Sequence, residues 1–313
     1  MANTFIKATK VVSTALGVLI RETVLPNLVW RDAAGDFTGV YNDTVSLRLP
    51  AYVTARTRAL HNHSSPISID ELTETKVDVT LNKDVYKGIK ATDENMTLDI
   101  ADFGAQVLNP ILRAVVIGVE DELADKISAA TYALTQSFSR KDPLGSVLAA
   151  RTKLNKCYVP AGDRTLACGA EIEEAILKAL AVRESGAASS ENALQDATVT
   201  RYAGFRVVGV PSFAPDEAYA FHKTAFVLSS RAPVVPAGAA WGASMALDGF
   251  AIRVIRDYDP AYLQDRVIGS TWIGCDVVKD DGDLNSDGQF IPEDGSGSGS
   301  PILVRAVKMT LGS

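Results

Sequence analysis

Histidine and cysteine are scarce in this chain, three of each among 313 residues, and their scarcity removes most metal and thiol chemistry from consideration. Cys157, Cys168 and Cys275 are odd in number and lack the spacing of a zinc site, so they read as buried, inert thiols of a protein made in a reducing cytoplasm. His61 and His63 could present two imidazoles on one side of a strand, but no Cys or acidic partner stands near them, and they read as solvated hydrogen-bonding groups. Long apolar runs are missing too: none approaches the ~20 residues needed to cross a bilayer. Lys7 and Lys10 precede an apolar run at 11–20, but Arg21 and Glu22 follow where a signal peptide would carry small residues. Phe5, Val12, Leu16, Leu19 and Ile20 instead recur near helical spacing, as in a helical arm.

A surplus of basic charge is also lacking. With 38 acidic against 31 basic residues the formal charge is -7, and no basic patch stands out, so a clamp on nucleic acid is not expected. There is no phosphate-cradling glycine loop, no dinucleotide fingerprint and no nucleophile elbow. Carboxylate pairs such as Glu173 with Glu174 and Asp121 with Glu122 occupy adjacent helical positions, which point apart. Neither catalytic nor cofactor-binding residues are expected.

What remains, 47% hydrophobic and 22% charged, suits one large or two intertwined folded domains. Val45, Leu47 and Leu49 alternate with polar residues as a strand does, and so do Val77, Val79 and Leu81. Between them lies a polar stretch too long for a tight turn. These two strands are expected to carry a projecting tip at about 53–74, whose Arg56, Arg58, Asp70 and Glu71 offer charges for intersubunit contacts. Farther on, Asn109 is placed as the N-cap of a long helix, with Pro110 at its first position and a stripe of Leu112, Val116, Val119, Leu123 and Ile127 on its buried face. Helices are expected at 145–156 and 170–180, and strands at 165–168, 205–210, 218–222, 250–255 and 302–309, an α+β alternation. Residues 280–300, rich in Asp, Gly and Ser, read as a surface insertion.

Within that insertion, Asp283, Asn285, Asp287, Gln289 and Asp294 have the spacing by which a loop wraps calcium, with Gly288 at the sixth position and a carboxylate at the twelfth. No flanking helices accompany it. The two readings are a calcium loop and an acidic, solvated surface loop.

Four segments in order carry a family resemblance: MANTFIKATKVVSTALGVLIRETVLPNLVWRD, TLDIADFGAQVLNPILRAV, ATVTRYAGFRVVGVPSFAPDEAYAFHKTAF and DGFAIRVIRDYDPAYLQDRVIGSTWIGCDVV. Together they resemble the major capsid proteins of tailed bacteriophages with the Hong Kong 97 fold, and more closely the P-twenty-two-type coat proteins of actinobacterial phages. The resemblance implies an N-arm at 1–36, an extended two-stranded loop at 37–90, a peripheral domain with the spine helix at 91–155 and 249–313, and an axial domain at 156–248. It implies a structural, non-enzymatic coat protein that requires no cofactor. Copies would assemble in the host cytoplasm, with scaffolding and portal proteins, into the hexamers and pentamers of an icosahedral virion head. That head would enclose double-stranded DNA without sequence-specific binding and without a membrane. Little room is left for the extra domain many such coat proteins carry, and nothing assigns a lysine cross-link to Lys76, Lys83, Lys87 or Lys90. Two other readings stand beside it, an encapsulin-like protein compartment and a calcium-dependent binding module acting as a monomer.

Overall fold

The alternation at Val45, Leu47 and Leu49 forms strand β1 (Thr44–Leu49), and that at Val77 and Val79 forms β2 (Thr75–Thr80). The two make a sheet of their own. Side-chain hydrogen bonds join Thr44 to Thr80 and Ser46 to Asp78, so one strand's numbers fall as the other's rise, which is antiparallel pairing. A computed structural model describes residues 23–31, 44–49, 55, 57–60, 66–67, 69, 75–95, 103–183, 201–247, 250–292 and 300–312. The helical arm expected from Phe5 to Ile20 lies outside them.

In chain order there follow β3 (Lys83–Thr92), α1 (Asn109–Ala129), β4 (Tyr132–Phe138), α2 (Pro143–Lys156), β5 (Arg164–Cys168) and α3 (Ala170–Arg183). Next come β6 (Arg201–Tyr202), β7 (Phe205–Gly209), β8 (Glu217–His222), β9 (Phe226–Arg231), β10 (Trp241–Leu247) and β11 (Phe250–Asp259). The last four are β12 (Gln264–Val277), β13 (Asp280–Leu284), β14 (Phe290–Pro292) and β15 (Ser300–Leu311). The chain divides into two compact units, one of residues 1–45, 79–129 and 226–276, the other of 46–78, 130–225 and 277–313.

The first unit is built on a five-stranded sheet ordered β10-β11-β12-β3, with β9 also pairing with β12. Helix α1 packs on it through two glycines, because a Cβ on Gly118 would stand 2.8 Å from Val85 on β3 and one on Gly269 of β12 would stand 2.6 Å from Ile111. The whole expected stripe, Leu112, Val116, Val119, Leu123 and Ile127, is buried, joined by Ile111, Val115 and Ala124. Each large side chain so buried contributes roughly 1.5–3 kcal/mol. The start of this helix differs from expectation. Asn109 is not an N-cap, since Gly104–Leu108 form a π-helical stretch that runs straight into α1. An N–H at position 110 would bond the Gln106 carbonyl; proline lacks that N–H and its ring crowds the carbonyl, so the backbone widens there.

The second unit carries an eight-stranded sheet ordered β14-β13-β15-β8-β5-β7-β6, with β4 parallel to β15. Helix α2 starts where sequence rules ask, with the Asp142 carboxylate accepting from the Gly145 N–H at 3.0 Å and Pro143 in the first turn. Its Val147 and Leu154 join Phe138, Leu166, Ile172 and Phe205 in one core. Residues 280–300 are not a free insertion throughout. β13 and β14 pair as a hairpin that joins the sheet through β15, because Phe290, 6% exposed, is packed into that same core. β15 pairs with β4 and β8, which draws 277–313 into one compact unit with 130–225.

Candidate assembly surfaces

The β1–β2 pair buries Leu47 and Val79, while the stretch that joins its strands leaves its described residues in water. Beyond the ladder, Lys76 meets Asp78 at 3.2 Å, and the Ser46 hydroxyl, then Lys76, hold the exposed Asp78 carboxyl below its usual range. Every described residue of the stretch between β1 and β2 is exposed. Three of them are aliphatic: Leu60 is 85% exposed, Ile67 68% and Ile69 85%. Leaving such side chains in water forgoes roughly 1.5–3 kcal/mol each, a cost that a covering surface removes. Of the four charges expected to make intersubunit contacts, Arg58 is exposed in this stretch, while Arg56, Asp70 and Glu71 lie outside the described residues. The aliphatic trio was missed because apolar residues in a sequence count as core until burial is known.

The polar side of α1 holds its own unit together. Glu122 pairs with Lys83 of β3 at 3.2 Å, and Lys126 with Asp276 of β12 at the same distance. Glu120 is more than a solvated charge, since its carboxylate accepts from the Leu25 N–H at 3.1 Å and ties down the short 3-10 turn Leu25–Asn27.

Chemistry finds few footholds. Burial pushes the thiol of Cys157 up to about 11 and those of Cys168 and Cys275 up to about 12, so all three are protonated near neutrality. In the second unit a cleft of about 290 Å³ lies beside the starts of α2 and α3. Two ion pairs line it, Arg140 with Glu171 at 2.6 Å and Lys178 with Glu174 at 2.5 Å.

The proposed calcium residues sit on the β13–β14 hairpin. Asp283 is paired with Ile291, and the Asn285 side-chain oxygen accepts from the N–H groups of Asp287 at 3.0 Å and Gln289 at 2.8 Å. The Gln289 carbonyl accepts from the Asn285 N–H, and Lys156 donates to the Asp287 carbonyl at 2.7 Å. Asp294, like His61 and His63, lies outside the described residues. Among the described residues no three His, Cys, Asp or Glu side chains converge where they could hold a metal ion. None of their helices is long and apolar enough to cross a membrane.

No protein-family model matches the chain, and no curated protein is significantly similar to it. Solved structures do match. A chain from Mycobacterium phage Che8 is 18% identical with a TM-score of 0.62, over 92% of this chain and 90% of that one. The capsid of cyanophage P-SCSP1u matches at 11% identity and TM-score 0.60, over 100% of this chain and 91% of that one. A virus-like particle from Pyrococcus furiosus matches at 9% identity and TM-score 0.51, over 96% and 97%. The fold is α+β of the Hong Kong 97 capsid type.

Proposed function

We propose that this chain is the major coat protein of a tailed-phage head, a non-enzymatic subunit that assembles with copies of itself into an icosahedral shell around double-stranded DNA. The observation that carries the reading is the fold likeness to a phage capsid chain over the whole length of this one. The projecting β1–β2 loop supports it independently: a tip that leaves Leu60, Ile67 and Ile69 in water is stable in a cell when another chain covers it. Contacts of this kind, from one patch to a different patch, build rings when their rotation closes, and many modest contacts add up within a shell. The four tip charges Arg56, Arg58, Asp70 and Glu71 would set the register of that contact. An acidic subunit encloses DNA without clamping it. The quoted segments favour a P-twenty-two-type coat protein of an actinobacterial phage, working with scaffolding and portal proteins and assembled in the host cytoplasm.

A protein compartment is the second reading, because a shared fold does not say what a shell encloses. Negative-stain microscopy of the expressed chain should show closed particles or rings of six and five. A protein that stays monomeric by light scattering under all assembly conditions overturns the shell. Mass spectrometry of particles made in the natural host separates the readings, with DNA and portal protein expected for the head and cargo enzymes for the compartment.

A further inference from the structure

A row of three side chains crosses the eight-stranded sheet. Arg164 on β5 is the register partner of His222 on β8. On its other side lies Arg305 of β15, since the Arg305 guanidinium and the His222 Nδ1 both meet the Thr224 hydroxyl. Side chains directly opposite each other in an antiparallel ladder share one face, which sets Arg164 beside the histidine, and the shared Thr224 hydroxyl brings Arg305 to it as well. Arg164, only 4% exposed, is held by the carbonyls of Val159 and Pro160. Arg305 grips both oxygens of Asp280 and donates to the Thr224 hydroxyl at 3.0 Å.

His222 depends on being neutral. Its Nδ1 accepts from the Thr224 N–H at 3.3 Å and lies 2.9 Å from the Thr224 hydroxyl. A backbone N–H only donates, so Nδ1 carries no proton in this arrangement and the ring proton sits on Nε2. Protonation would add a third cation to the row and turn the accepting nitrogen into a donor facing another donor. Lys223 adds a further positive charge beside the ring; Asp163 acts the other way, and Asp280 is already matched by Arg305.

We propose that His222 is an acid-sensitive keystone of this sheet: neutral, it fastens Thr224 between β8 and β15, and charged, it drives the β5–β8–β15 seam apart. Burial, then Arg305, hold its pKa below the ordinary value of 6.5, which agrees in direction. A histidine whose folded pKa is depressed stabilises the fold fully above that ordinary value, and the stabilisation is lost as pH falls from there through the folded pKa. Thr224 also bonds Arg305, so the disturbance passes to Asp280 and the start of β13.

The test compares urea unfolding of the full chain and of His222→Asn, whose side-chain oxygen can still accept from Thr224, between pH 7.5 and 5. The wild-type unfolding constant should rise by up to about tenfold per pH unit more than that of the variant, the linkage of one proton. Equal pH slopes overturn the proposal. Should the variant fail to fold, hydrogen exchange on the wild type replaces it: mild acid should selectively deprotect β8, β15 and β13, and loss of protection spread evenly over the chain overturns the proposal equally.

Discussion

Gly274 of β12 and Thr80 of β2 meet backbone to backbone, so closely that a Cβ on the glycine would fall onto the Thr80 carbonyl oxygen. A carbonyl in a ladder cannot step aside as a flexible side chain can. Gly274→Ala should therefore destabilise the protein by about 1–3 kcal/mol, the usual cost of overpacking. Gly238→Ala is the control, because a Cβ there meets nothing within 4 Å. Urea midpoints of the two variants should separate clearly, and equal midpoints would mean that the β2 end yields.

Val119, 1% exposed and in the middle of the α1 stripe, faces the sheet with no water to solvate a charge. Val119→Asp should cost about 3–5 kcal/mol or more and leave the chain insoluble. Two residues earlier, Ile117 is 49% exposed, and Ile117→Asp should express as soluble protein. The soluble fraction after lysis reads both outcomes, and a soluble Val119→Asp variant would place the buried face of the helix elsewhere.

The legibility of the sequence follows from which physical signal each element emits. The α1 stripe was readable because one face is buried and the other wet, which writes the helical period into the residues. β12 was not read, although it is 14 residues long, because much of it is buried on both faces and its Gly269 and Gly274 answer to close neighbours rather than to a period. The π-helical stretch at Gly104–Leu108 is a matter of hydrogen-bond spacing, to which composition is blind. The Arg164, His222 and Arg305 row depends on strand pairing and a shared Thr224 contact among residues far apart in the chain, and no local pattern announces it. The tip charges were legible as charges; that the tip also carries unburied Leu60, Ile67 and Ile69 was not.

The calcium spacing at Asp283 to Asp294 meets a hairpin that uses several of its oxygens in turn formation, Asn285 for two N–H groups and the Gln289 carbonyl for a third. The Asp283–Ile291 and Leu284–Phe290 pairing, which carries Phe290 into the core, leaves the backbone of 283–291 little freedom to rearrange around an ion. Calorimetry with millimolar calcium should accordingly give no saturable heat, and chelator should leave proteolysis of residues 280–300 unchanged. A saturable isotherm abolished by Asp283→Asn would instead establish the loop as a metal site.

If the stretch between β1 and β2 meets a neighbouring copy, as proposed, it could do so through the charges Arg56, Arg58, Asp70 and Glu71 or through the exposed Leu60, Ile67 and Ile69, and salt tells the two apart. Exposed charges are screened over about 10 Å at 0.1 M salt, whereas apolar burial is not weakened by salt. Replacing Leu60, Ile67 and Ile69 together by Ser removes side chains that contribute nothing to the isolated subunit's core, so its circular dichroism and unfolding midpoint should stay within about 0.5 kcal/mol of the parent. If a neighbouring copy covers them, each lost side chain forfeits about 1.5–3 kcal/mol of contact, and every 1.4 kcal/mol raises the concentration needed for assembly about tenfold. The triple variant should thus fail to form particles at concentrations where the parent does, in low and high salt alike. Reversing Arg56 and Arg58 to Glu should also impair assembly, but with a defect that shrinks as salt is raised. Normal particle yield from both variants would remove this loop from the assembly contacts.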